Sequence, residues 1–131
     1  MSATFFDTNV PLYLLSADEA KADRAAQLLE DGGVVSAQVL NELVAVARRK
    51  SLADWPVVQD LLDMLTQVCR VEPLTLEVHR RAVALSQRTG WHIYDASIVA
   101  CALEAGCERL YTEDLNHGQV VDGLTVLNPF R

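Results

Sequence analysis

A chain of 131 residues, half of them apolar, can bury one substantial core but not two, so a single domain over residues 1–131 is expected. No run nears the roughly 20 apolar residues of a membrane-spanning helix, and "MSATFFD" meets an acid before a signal-peptide core can form, which predicts a cytoplasmic protein with no membrane partner. A formal charge of −7 opposes general affinity for phosphate backbones, unless acids cluster tightly enough to hold a divalent cation that reverses the local sign.

A strand is expected at about residues 3–6, followed by a short helical turn in "DTNVPLYLLS", where Pro11 fits only the first turn. Ser16 and Glu19 stand at capping-box spacing and open a helix whose Ala22, Ala25, Ala26 and Leu29 share a face, until Gly32 and Gly33 stop it. After the short strand "VVS", Ser36 caps a helix with Leu40, Leu43, Val44 and Ala47 at helical spacing, and "RRK" at 48–50 suits the negative end of its dipole. Trp55 and Pro56 introduce a helix over about 56–67. A strand near "CRVEPL" leads to Thr75 and a long helix through Val78, Ala82 and Leu85, ending at Gly90. "DASIVACALEAG" then reads as a helix that begins beside Asp95 and is capped by Gly106, before the strands "ERLYT" and "LTVLNPF". Short strands alternating with helices predict an α/β domain with a mainly parallel sheet flanked by helices. Cys69, Cys101 and Cys107 are odd in number, lack CxxC spacing and lie in apolar segments, which predicts reduced, buried thiols.

Ligands of an open parallel sheet bind beyond the carboxyl ends of its strands. Asp7 ends the first strand, Asp114 lies just past "ERLYT", Asp95 starts a helix, and Glu42 lies in the second turn of the helix after the second strand. Each has an ordinary explanation alone: a turn residue for Asp7, an Asx-turn for Asp114, an N-cap for Asp95, a solvated helical acid for Glu42. Together, four unconnected segments deliver a carboxylate to one predicted edge. Two carboxylates about 5 Å apart repel by roughly 3 kcal/mol at an effective dielectric of 20, so such a cluster calls for protonation or a cation. All-oxygen donors select Mg²⁺ or Mn²⁺ before Zn²⁺, and a hydrated hard cation of this kind supports phosphodiester hydrolysis.

"FFDTNV", "SAQVLNEL", "IYDASIVACALEAGC" and "LYTEDLNHGQ" together resemble the PIN domain of metal-dependent ribonucleases, and the chain length resembles VapC-like toxins of bacterial toxin–antitoxin pairs. The likeness spans about residues 3–129. It implies a single Rossmann-like domain and a Mg²⁺- or Mn²⁺-dependent endoribonuclease with Asp7, Glu42, Asp95 and Asp114 as its acidic quartet, Asp7 and Asp95 being the most direct metal ligands with help from Asp114. Asn9 is expected to hold Asp7 by hydrogen bonds, Thr8 belongs to the same motif, and Thr112 matches a hydroxyl beside the fourth acid. Asn116 stands where some members carry a further acid, which leaves one ion as the expectation. His117 is a candidate for RNA contact, while His79 and His92 have weaker cases.

The resemblance also implies an RNA substrate, either transfer or ribosomal RNA, a cognate antitoxin whose amphipathic segment enters a groove between the early helices, and a homodimer. Arg48, Arg49 and Lys50, and separately Arg80 and Arg81, are candidates for a phosphate track. Val57, Leu61, Leu62 and Leu65 form an apolar stripe open to two readings, core or dimer face. Two other function classes stay open: another metal-dependent phosphoryl-transfer enzyme, such as a DNA nuclease or phosphatase, and a non-catalytic binding module.

Overall fold

The computed structural model describes residues 3–131. The chain alternates strand and helix as its hydrophobic pattern dictates: β1 (Thr4–Phe6), α1 (Asn9–Leu12) extended by a 3₁₀ turn (Tyr13–Leu15), α2 (Glu19–Glu30), β2 (Gly33–Ser36), α3 (Ala37–Arg49), α4 (Trp55–Val68), β3 (Cys69–Glu72), α5 (Leu76–Thr89), α6 (Ile93–Glu104), β4 (Arg109–Tyr111), β5 (Val120–Val121) and β6 (Leu124–Leu127). The six strands form one sheet in the order β3-β2-β1-β4-β6-β5. All neighbours run parallel except the β5–β6 pair.

This order places a topological switch between β1 and β4: successive strands β2 and β3 extend the sheet one way from β1, and β4 and β6 the other. Connections on the two sides diverge there and leave a crevice at the carboxyl ends of the two central strands. Phe5 and Phe6 of β1, Val34 and Val35 of β2, Leu110 of β4 and Val126 of β6 are all buried at 3% exposure or less. Strands covered on both faces need such continuous apolar runs. Gly33 permits the close approach of β2 to β1, since a Cβ there would lie 2.5 Å from the Phe6 ring and 2.6 Å from the Thr4 carbonyl.

Helix ends follow local chemistry. Ser36, Asp54 and Thr75 each accept a backbone N–H three residues on, at the starts of α3, α4 and α5, and Gly90 closes α5 at φ +80°, the left-handed conformation that glycine adopts at least cost. Two starts differ from expectation. α2 is capped by Asp18, whose carboxylate accepts from the Lys21 N–H, while Ser16 is extended and its hydroxyl accepts from the Asp18 N–H. α6 begins two residues before Asp95, with His92 as its N-cap. Asp95 is therefore a first-turn residue whose carboxylate is not used as a cap.

The core is one cluster on both sides of the sheet. α6 is its most enclosed helix, with every residue from Ala96 to Ala102 buried. On α4 the buried face is Val58, Leu61 and Leu65, whereas Val57 is 45% exposed. The expected stripe is thus core at Leu61 and Leu65 but lies one residue out of phase at Val57. Cys69, Cys101 and Cys107 are free and buried, and burial raises their thiols to about 11, 12 and 11 respectively, which keeps them protonated and inert. Among the described residues no helix is long and apolar enough to cross a membrane.

Candidate active site

The site grows from the meeting of β1 and β4. Phe6 pairs with Tyr111, and the residues that follow prolong the register: the Asp7 N–H donates to the Tyr111 carbonyl at 3.0 Å, and the Thr112 N–H to the Leu127 carbonyl at 3.0 Å. The two side chains then meet, the Thr112 hydroxyl donating to Asp7 Oδ2 at 2.8 Å while the Thr8 N–H donates to Oδ1 at 2.7 Å. Asp7 is only 5% exposed. Burial raises its pKa from 3.8 to about 6; the bonds from Thr112 and Thr8 oppose the shift, and the charges of Asp114 and Glu42 add to it. This is the pattern of a carboxylate held short of solvent among like charges.

Thr112 is the hub of the arrangement. Its hydroxyl gives its one proton to Asp7 and accepts from the Asp114 N–H at 3.1 Å and from Asn9 Nδ2 at 3.3 Å, which uses both its lone pairs. Asn9 Nδ2 also donates to Asp114 Oδ2 at 3.2 Å. Asn9 therefore holds Asp114, not Asp7 as its place in the motif predicts, because α1 starts at Asn9 and turns its side chain toward the β4 loop. Asn9 Oδ1 is buried and has no partner among the described residues.

Glu42 is fixed from two sides: the Thr8 hydroxyl donates to Oε2 at 2.8 Å, and Gln38 Nε2, one turn earlier on α3, donates to Oε1 at 2.9 Å. Thr8 thus bonds Asp7 through its backbone and Glu42 through its side chain. Gln38 Nε2 also lies 3.3 Å from the Tyr94 carbonyl, tying α3 to the start of α6 one residue before Asp95. Sequence reasoning did not single out Gln38, although its i,i+4 spacing to Glu42 is the signal that finds it. Asp95 is half-buried. Its pKa is raised by burial first, then by the charges of Asp114 and Glu42, with His92 opposing.

Asp114 and Glu42 thus lie close enough to act electrostatically on both Asp7 and Asp95. Among the described residues, however, no three His, Cys, Asp or Glu side chains are gathered as a ligand set for a metal ion; Asp7, Glu42 and Asp114 are engaged by hydrogen bonds of the protein instead.

Residues 4–122 match the PIN domain family. The chain belongs to the PIN domain family. No curated protein sequence matches it. Among solved structures, this PIN domain is similar to a chain of a toxin–antitoxin complex from Klebsiella pneumoniae, with 24% identity, a TM-score of 0.74 and coverage of 97% of this chain and 98% of the other. It is also similar to Mycobacterium tuberculosis VapC20, described as a sarcin–ricin loop cleaving toxin, with 23% identity, a TM-score of 0.71 and coverage of 86% and 90%. A third neighbour comes from Rickettsia felis VapBC2 bound to a DNA fragment from its promoter, with 15% identity, a TM-score of 0.67 and coverage of 95% and 96%. At these identities the likeness establishes the fold.

The remaining candidates lie around the rim of the PIN domain. His117 is exposed and its Nδ1 accepts the Asn128 N–H at 2.9 Å, so it ties the β4–β5 loop to the end of β6. Asn116 is exposed on that loop, its carbonyl accepting from the Gln119 N–H. Arg48 lies 4.9 Å over the exposed Trp55 ring and donates to the Ala53 carbonyl, leaving Arg49 and Lys50 as the freer charges of that group. Lys50 borders a groove of about 480 Å³ that runs between the 3₁₀ turn and the end of α3, lined also by Asn9, Leu12, Leu15, Leu52 and Glu113. Arg81 is engaged with Glu104 and Asp122.

Proposed function

We propose that this chain is a divalent-metal-dependent endoribonuclease acting as the toxin of a toxin–antitoxin pair. The observation that supports the reading is that Asp114 and Glu42, from separate segments, act electrostatically on both Asp7 and Asp95 at the strand ends of a PIN domain. The residues fit Mg²⁺ or Mn²⁺ by their chemistry: an all-oxygen donor set, a buried acid whose pKa is driven to about 6, and a buried amide oxygen with no partner beside it. A hard cation would offset the cost of burying the Asp7 charge and the smaller repulsion from Asp114 and Glu42, and offers the oxygen coordination such ions select. Asp7 and Asp95 would hold it most directly, with Asp114 assisting. When bound, the cation acidifies water and stabilises charge on a phosphoryl oxygen.

The chain's own residues then divide the work. Glu42, aligned by Thr8 and Gln38, orients the attacking water and takes its proton. Thr112 holds the Asp7 carboxylate, and Asn9 holds Asp114. The water oxygen bonds to phosphorus as the P–O3′ bond breaks, which leaves a 5′-phosphate and a 3′-hydroxyl, the departing oxygen taking a proton from solvent. Arg49 and Lys50 flank the approach as phosphate contacts, while His117 is left a secondary one because its Nδ1 is already occupied. The substrate is a folded RNA, transfer or ribosomal, met in its unpaired regions.

The groove between the early helices suits an amphipathic segment of a cognate antitoxin. Leu12, Leu15 and Leu52 offer apolar contact, and the neighbouring acids attract an Arg or Lys of the partner. The toxin acts in the cytoplasm as a homodimer, whose second copy lengthens a sparse basic surface.

Purified protein incubated with structured RNA is expected to cleave it in Mg²⁺ or Mn²⁺, to leave it intact in EDTA, and to lose cleavage as Asp7→Asn. Equal cleavage in all three removes the nuclease reading. Release of phosphate from a small ester, or cutting of DNA without RNA, points to a different phosphoryl-transfer enzyme. Growth arrest on expression, relieved by the neighbouring small gene, tests the toxin role, and light scattering tests the dimer.

A further inference from the structure

Tyr13 lies in the 3₁₀ turn after α1 and reaches across to the loop that follows β4. Its hydroxyl lies 2.7 and 2.8 Å from the two oxygens of Glu113, to which it donates, and it accepts from Lys21 Nζ at 3.2 Å. The ring is braced as firmly as the hydroxyl. Lys21 Nζ stands 4.7 Å from its centroid and the Phe130 ring 4.5 Å away, tilted by 58°. Phe130 is itself held, its N–H donating to Asn128 Oδ1, and Arg24 Nε donates to the adjacent Pro129 carbonyl at 3.1 Å. The turn after α1, helix α2 and the C-terminal segment thus combine to fix one tyrosine oxygen.

Glu113 lies between Thr112 and Asp114, and Asp114 is exposed on an irregular loop with Asn9 as its side-chain partner. Both oxygens of Glu113 face the Tyr13 hydroxyl, so the residue next to Asp114 is anchored to the turn after α1.

We propose that Tyr13 is a positioning residue for the acidic site: by holding Glu113 it fixes the loop carrying Asp114 in reach of Asp7. The inference rests on the reading that these acids hold a divalent cation. Releasing the loop costs on the order of the entropy of fixing one backbone residue, so loss of the clamp weakens cation binding about tenfold, or 1.4 kcal/mol.

Binding of Mn²⁺, read from the electron paramagnetic resonance signal of the free ion, tests this in the wild type, Tyr13→Phe, Glu113→Ala and the double variant, with circular dichroism confirming the fold. Tyr13→Phe changes no charge and keeps the ring, so a weaker site reports the hydroxyl alone. The Kd is expected to rise about tenfold in each single variant and no further in the double, because the residues act as one pair. The Mn²⁺ concentration for half-maximal RNA cleavage rises in step, and the maximal rate recovers at saturating Mn²⁺. Unchanged affinity in Tyr13→Phe, or multiplied losses in the double variant, overturns the clamp. If that happens while the wild type binds Mn²⁺ and cuts RNA, the nuclease reading stands. A wild type that binds Mn²⁺ no better than Asp7→Asn removes both. Should Tyr13→Phe fail to fold, Glu113→Gln decides: it keeps an acceptor for the hydroxyl and is expected within about threefold of wild type, and a loss equal to that of Glu113→Ala overturns the proposal.

Discussion

Replacing Asp7 with Asn removes the charge that this fold tolerates worst. The carboxyl is 5% exposed and its pKa is raised from 3.8 to about 6, so ionised Asp7 destabilises the metal-free domain by about 3 kcal/mol at neutral pH. Below pH 3.8 the group is protonated in both folded and unfolded chains and carries no penalty; between there and about pH 6 the penalty grows, and above it stays constant. Asn is neutral throughout but offers one acceptor oxygen for the two donors that Asp7 meets, the Thr112 hydroxyl and the Thr8 N–H, and the lost bond returns about 1 kcal/mol. Asp7→Asn is therefore expected to be more stable than wild type by about 2 kcal/mol at pH 7.5 in EDTA, with a melting temperature about 7 °C higher for a domain of this size. The advantage vanishes near pH 4. Urea unfolding at the two pH values measures both numbers, and RNA cleavage by the same sample is lost. A variant equal to or less stable than wild type at pH 7.5 refutes the reasoning, because it means that the buried charge is compensated within the protein itself. Under the proposed function, saturating Mn²⁺ is expected to reverse the order by stabilising the wild type alone.

Other expectations follow from single contacts. Thr112→Val keeps the shape of the hub but removes the hydroxyl from Asp7, and urea unfolding at pH 7.5 is expected to register a loss of about 1.5–3 kcal/mol. Gln38→Ala frees one oxygen of Glu42, so cleavage kinetics should give a kcat lower by about tenfold at unchanged KM. Glu42→Gln removes the proton acceptor and is expected to slow single-turnover cleavage at least 100-fold while Mn²⁺ binding persists. On α4, Val57→Asp should change stability by no more than about 0.5 kcal/mol, whereas Val58→Asp, at a fully buried position, should fail to fold or lose more than about 3 kcal/mol.

The alternation of short apolar strands with helices made the parallel α/β architecture legible, and strand-end placement alone put Asp7 and Asp114 on one edge. Glu42, one turn into α3, and Asp95, in the first turn of α6, follow from their places near the starts of helices. What escaped depends on phase or on distant partners. A shift of one residue, about 100° around a helix, exchanges Val57 for Val58 as the buried position of α4. The direction of Asn9 is set by Thr112 and Asp114, more than 100 residues away, and the backbone partner of His117 is Asn128. β5 has only two residues, too few to carry a periodicity. Its signal lies in the turn: Asp122 and Gly123, at φ +49° and +90°, link the paired Val121 and Leu124, as Asp-Gly does in tight hairpins.

Helix α6 carries Asp95 in its first turn and then seven consecutive buried residues, most of them small. No side of that rod is free to absorb added bulk, so a methyl group gained at Ala96, Ala100 or Ala102 has to be accommodated by shifting the whole rod, and the acid rides with it. Such overfilling costs about 1–3 kcal/mol, enough to erode a domain's margin of 5–15 kcal/mol without abolishing it. Conditional alleles, active when cool and silent when warm, should therefore concentrate along this one buried rod, well away from the carboxylates themselves.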